Sequence, residues 1–253
     1  LTINAATNVL GSMLDVDALV RAAHAARALA LVDTAQVAGH RPFDTASCGA
    51  DVVAFTGHKG LLGPQGVGGL WVREGVEVEP LLAGGTGGNS LEREMPSAYP
   101  DHLEAGTQNA PGIAGLSEGA QWLLDTGVDT LHHQLCRLKR RLHDGFSDVA
   151  GLDVRSPAAP DGVPIVTVTA DALDPSTLAG RLDREFGVLT RAGLHCAPEA
   201  HHVLGTAAMG AVRFSLGWCS TEADVDRAVD AAARLVDTGR VFAAASAAEP
   251  TER

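Results

Sequence analysis

Along the chain, short apolar runs alternate with longer stretches in which apolar residues recur every three or four positions. The runs read as strands buried on both faces of a parallel sheet, and the periodic stretches as helices that cross between them. A first strand is expected over residues 1–6. Val16, Leu19, Val20, Ala23 and Ala26 then share one face of a helix over 15–28, opened by the capping carboxylate of Asp15. A second strand ends on Asp33 and a third, over 51–55, ends just before Lys59. The glycine-rich stretch 60–69 runs from loop into the strand 70–72, whereas a nucleotide-binding loop runs from strand into helix, so it reads as a tight reversal before one antiparallel strand. Stretches 84–90 and 156–164 read as a flexible loop and a proline-rich turn.

Helices are expected over 110–124 and 128–149, the second with Arg137, Lys139, Arg140 and Arg141 on a solvated basic face. Beyond residue 151 the pattern becomes α+β, with strands over 152–155, 165–169, 188–191 and 211–215 and helices over 175–185 and 221–235. The organisation predicted is therefore an α/β unit with a mostly parallel sheet over 1–125, a bridging helix over 126–150, a smaller α+β unit over 151–238 and a disordered tail over 239–253.

Composition narrows the function classes. The 253 residues are 45% hydrophobic, enough for a sizeable core, and carry 31 acidic against 19 basic residues for a net charge of −12 with no basic block. Nucleic acid and anionic membrane are poor partners for such a surface, and no apolar run reaches bilayer-spanning length. Four scattered cysteines without a CxxC pair fit a reducing, cytoplasmic setting. His195, Cys196, His201 and His202 lack zinc-ligand spacing, so no metal is expected.

The chemistry gathers at strand ends, where open α/β sheets hold their ligands. Lys59 past one strand can form an imine with a carbonyl cofactor, and Asp33 past its neighbour can hold a pyridine nitrogen protonated. In Arg191-Ala-Gly-Leu-His195-Cys196-Ala-Pro, a glycine turn puts Cys196 on a loop between histidine and arginine, the setting of a reactive sulfur. Arg213 interrupts the apolar run 212–216 and needs an anionic partner, from the protein or from a ligand.

Asp33-x-x-Gln36, Thr56-x-His58-Lys59 and the Cys196 segment together resemble the class V aminotransferase family of fold type I pyridoxal phosphate enzymes, and within it the cysteine desulfurases and selenocysteine lyases. The resemblance implies the aspartate-aminotransferase-like fold, here without its N-terminal part, since in that family about a third of the protein precedes the point where Leu1 stands. It implies pyridoxal 5'-phosphate held by Asn8, Asp33, Gln36, Thr56, His58 and Lys59, with Thr107 reaching the phosphate bound by the other subunit of a homodimer. Arg213, with Asn8 and Arg191 beside it, would bind the substrate. Lys59 and Cys196 would carry catalysis: conversion of L-cysteine to L-alanine with the sulfur left on Cys196 as a persulfide, to be taken by a sulfur-acceptor protein. Selenocysteine cleavage, another reaction of the family, or an inactive fragment or interaction module are the other readings. Taken residue by residue, Asn8 can be ordinary loop chemistry, Thr107 part of a helix cap, Cys196 a structural thiol and Arg213 half of an ion pair.

Overall fold

The computed structural model describes residues 1–88, 91, 93–158 and 162–248, with side chains described as far as Val241. Residues 89 and 90 of the glycine loop, 92 just after it, 159–161 of the proline-rich turn and 249–253 of the tail lie outside them.

The first unit is a four-stranded sheet in the order β1-β2-β3-β4: β1 (Thr2–Asn4), β2 (Leu31–Asp33), β3 (Val52–Thr56) and β4 (Gly68–Val72). The first three strands are parallel and β4 runs antiparallel to β3, as the reversal at 60–69 predicts. Helix α1 (Val16–Ala25) makes the first crossover; Asp15 caps it by accepting from the Ala18 N–H. Its buried face of Val16, Val20 and Ala23 packs with Val32 and Val53 into one apolar core. A short helix α2 (Thr45–Cys48) makes the second crossover.

The start of that sheet is tied by a buried carboxylate. Asp51 is fully buried, accepts from the Ala30 N–H and His24 Nε2, and pairs with Arg73 at the end of β4. The one charge thus joins α1, β2, β3 and β4.

Two helices follow: α3 (Ala110–Thr126), capped by Asn109 rather than by Thr107, and α4 (Val128–Ser147). Gly127 turns between them with a positive φ of 85°, a conformation that costs glycine little. On α4, Leu131, Leu135, Leu138, Leu142 and Phe146 are buried at helical spacing. Lys139 is buried too, so it does not belong to the solvated basic face expected there; its ammonium packs over Gly162, where only a missing side chain leaves room.

The second sheet is fully antiparallel, in the order β5-β6-β8-β7: β5 (Leu152–Val154), β6 (Ile165–Ala170), β7 (Arg191–Gly193) and β8 (Ala211–Ser215). Helices α4, α5 (Pro175–Phe186) and α7 (Glu222–Ala248) bury one face of it, through Val166, Val168, Val212 and Phe214. Strand β7 begins at Arg191, three residues later than the apolar pattern suggests. Val188 instead closes α5, donating its N–H to the Leu182 carbonyl, while Gly187, in the left-handed conformation, donates to Asp183 as a glycine helix cap. A short helix α6 (Pro198–Val203), which the pattern does not predict, follows the Cys196 loop. Helix α7 extends to Ala248, so the tail expected to be disordered is helical over 239–248.

Candidate active site

Side chains alternate across a strand, so the sheet face opposite the helices must meet something other than the core. In register across the second sheet stand Thr167, Arg213 and Arg191. Each reaches the loops that close the site. Thr167 Oγ1 donates to the Val9 carbonyl, Arg213 Nη1 donates to the Asn8 carbonyl at 2.8 Å, and Arg191 Nη2 lies 3.3 Å from Cys196 Sγ. The 7–11 loop that follows β1 is thereby held against the second sheet, with the Val163 N–H donating to Gly11.

On the parallel sheet, Asn4, Asp33 and Ala54 share one register line; β1 and β2 end there and β3 runs on to Thr56 before the turn that carries Lys59. An open cavity of about 260 Å3 lies at that edge, lined by Asn4, Ala6, Asn8, Asp33, Ala35, Gln36 and Lys59. Four expected residues, Asn8, Asp33, Gln36 and Lys59, meet there. Asp33 is fixed by accepting from the Ala35 N–H at 2.8 Å. The Gln36 and Lys59 loops meet backbone to backbone: a β-carbon on Gly39 would stand 2.1 Å from the Gly60 carbonyl. His40 is a structural neighbour, hydrogen-bonded to the Gln36 carbonyl, and its burial lowers its pKa. Thr56 and His58, just before the lysine, share a hydrogen bond of 3.0 Å between Oγ1 and Nδ1. Thr107 is exposed and is not among the residues lining this cavity.

Asn8 connects the cavity to the sulfur loop, its amide donating to the His195 carbonyl at 2.6 Å. Cys196 is exposed and free. Arg213 has no carboxylate partner among the described residues, and its buried Nε makes no hydrogen bond. Burial first, and then the charge of Arg191 opposite it, pull its pKa down. Two cations face each other with no carboxylate between them among the described residues, so a carboxylate ion pair there does not account for Arg213. His195 is also buried, and burial together with the nearby arginines lowers its pKa to about 4.

Sequence reasoning missed Asn4 and Thr206, and weighed His201 only as a zinc ligand. Asn4 was legible in principle, as the last residue of the strand beside Asp33. His201 and Thr206 approach His195 only because α6 folds back, which no local spacing announces.

A mostly parallel sheet with lysine and aspartate at its carboxyl edge, joined through the 7–11 loop to an antiparallel sheet that carries the arginines, makes an α/β arrangement of two sheets. The chain belongs to the aminotransferase class-V family, whose model matches residues 1–228. It is 33% identical to a probable cysteine desulfurase of Methanothermobacter thermautotrophicus, over 88% of this chain and 57% of that one. Among solved structures it resembles the apo cysteine desulfurase of Thermococcus onnurineus, with a TM-score of 0.86 and 30% identity, covering 94% of this chain and 60% of that one. The cysteine desulfurase CsdA of Escherichia coli gives a TM-score of 0.84 and 29% identity, with coverage of 94% and 59%. The chain thus spans less than two thirds of the length of each of these relatives.

Proposed function

We propose that this chain carries the lysine, aspartate and sulfur loop of a pyridoxal-phosphate-dependent cysteine desulfurase. The observation that carries the reading is the link from one cavity to one thiol: Lys59, Asp33, Gln36 and Asn8 line the cavity, and Asn8 also bonds the residue before Cys196. Similarity to cysteine desulfurases over 88% of the chain supports it.

The donor set fits the cofactor. Asp33 is a carboxylate for a pyridinium nitrogen, Asn8 and Gln36 are amides for a phenolate oxygen, Thr56 and His58 are donors for phosphate, and Lys59 is the amine that joins the carbonyl. Bound there, pyridoxal phosphate supplies the electron sink that makes an amino acid's Cα proton acidic. Lys59 Nζ then serves as the base that takes that proton. Arg213, which lacks an anion and is already desolvated, binds the substrate carboxylate. Cys196 Sγ attacks the substrate sulfur, the sulfur–carbon bond breaks, its electron pair stays on carbon, and a proton returned there gives alanine. L-Cysteine and the enzyme thiol become L-alanine and the enzyme persulfide, with every atom accounted for.

The finer parts of the reading are a homodimer, a cytoplasmic setting and a sulfur-acceptor protein. Thr107, exposed and outside the protomer's own cavity, would serve the partner subunit's cofactor, and exposed Ile113, Trp122 and Leu124 on α3 supply apolar area for that contact. The division near residues 125 and 150 follows the α3–α4 turn and the end of α4. The test is mass spectrometry of the chain incubated with pyridoxal phosphate and L-cysteine: extra sulfur on Cys196 matched by alanine is expected, and alanine without sulfur on Cys196 contradicts it.

A further inference from the structure

Cys196 and His195 both adopt left-handed backbone conformations, with φ of 60° and 54°. For two consecutive residues with side chains this is strained backbone, which persists only where the surroundings hold it. The holding groups lie beneath the loop. His195 Nε2 is 3.0 Å from the Arg191 carbonyl, His195 Nδ1 is 3.3 Å from His201 Nε2, and His201 Nδ1 is 2.8 Å from Thr206 Oγ1. His195, His201 and Thr206 are all buried.

The direction of this chain of bonds is determined at one end. A carbonyl only accepts, so His195 Nε2 carries the proton and, the ring being neutral, Nδ1 is a bare acceptor. His201 must then donate from Nε2 and accept at Nδ1, and the Thr206 hydroxyl donates into it. Every polar atom of the ladder is satisfied, in one arrangement.

We propose that His201 and Thr206 are positioning residues that hold Cys196 at the mouth of the site through His195. Their effect on sulfur transfer rests on the desulfurase reading; the ladder itself does not. Thr206→Val keeps the shape and deletes the donor, and Thr206→Ser restores it. Amide hydrogen exchange over residues 194–197 requires no reaction: it is expected to quicken roughly fivefold to tenfold in Thr206→Val, the weight of one lost hydrogen bond, and to return near wild type in Thr206→Ser. His201→Phe, which retains a ring but neither nitrogen, is expected to loosen the loop at least as much. In single turnovers with L-cysteine, sulfur transfer to Cys196 falls by a similar factor in Thr206→Val with KM unchanged. Unchanged exchange in Thr206→Val, or a serine variant as loose as the valine one, overturns the proposal. If exchange responds as stated and wild type transfers no sulfur, the ladder stands and the desulfurase reading fails.

Discussion

Asn8 and His195, 187 positions apart in sequence, meet in a 2.6 Å hydrogen bond from the asparagine amide to the histidine backbone carbonyl. The asparagine borders the Lys59 cavity and the carbonyl belongs to the residue before Cys196, so the bond ties the cavity to the cysteine loop. Asn8→Asp replaces the donor with an oxygen that repels the carbonyl, whereas Asn8→Ala only removes it. The aspartate variant is therefore expected to be the less stable, with losses of about 1–3 kcal/mol in urea unfolding. An aspartate variant as stable as wild type would exclude the bond.

Arg213 combines a buried, unbonded Nε with an arginine facing it across the strand pair. Arg213→Met removes that repulsion along with one bond to the Asn8 carbonyl, so little stability should be lost. The KM for L-cysteine should rise roughly tenfold to a hundredfold, the weight of a charge-assisted bond to a carboxylate. Steady-state kinetics beside thermal unfolding separates the two effects.

His195 is neutral when folded down to about pH 4 but takes a proton near 6.5 when unfolded. Unfolding therefore binds a proton between those values. Stability from this group is complete above about pH 6.5 and falls as the pH drops toward 4, by on the order of 3 kcal/mol. Proton NMR of the ring should find no titration above pH 5, and urea midpoints should decline across the same window. A ring that titrates near 6.5 in the folded chain would contradict the burial argument.

The Asp51 pKa is also lowered, but here because the charged form is the favoured one. Burial works against its charge, but the Ala30 N–H, His24 and Arg73 outweigh it and hold the carboxyl below the ordinary aspartate range. The stability it contributes is present above about pH 4 and is lost as pH falls further. Asp51→Asn should cost about 1–3 kcal/mol at pH 7, measured by urea unfolding, and should flatten the acid limb below pH 4.

Much of this was legible in the chain itself. Apolar runs ending on Asp33 and before Lys59 place both at one edge, because parallel strands joined by helices must end on the same side. Cys196 on a loop follows from its glycine turn. What was not legible depends on packing: Lys139 reads as surface from its arginine neighbours, yet α4 turns it inward over Gly162. The late start of β7 reflects a helix cap that uses Val188, and the imidazole ladder depends on α6 folding back beneath the loop. Such pairings have no sequence period to reveal them.

On the proposed reading Lys59 is the amine that takes a carbonyl cofactor. Borohydride reduction of the chain after incubation with pyridoxal phosphate, followed by peptide mass mapping, tests it most directly. A single pyridoxyl label on Lys59, absent in Lys59→Ala and weakened in Asp33→Ala, is the predicted result. Label on Lys139 or on the N-terminal amine, present equally in wild type and Lys59→Ala, would contradict this assignment.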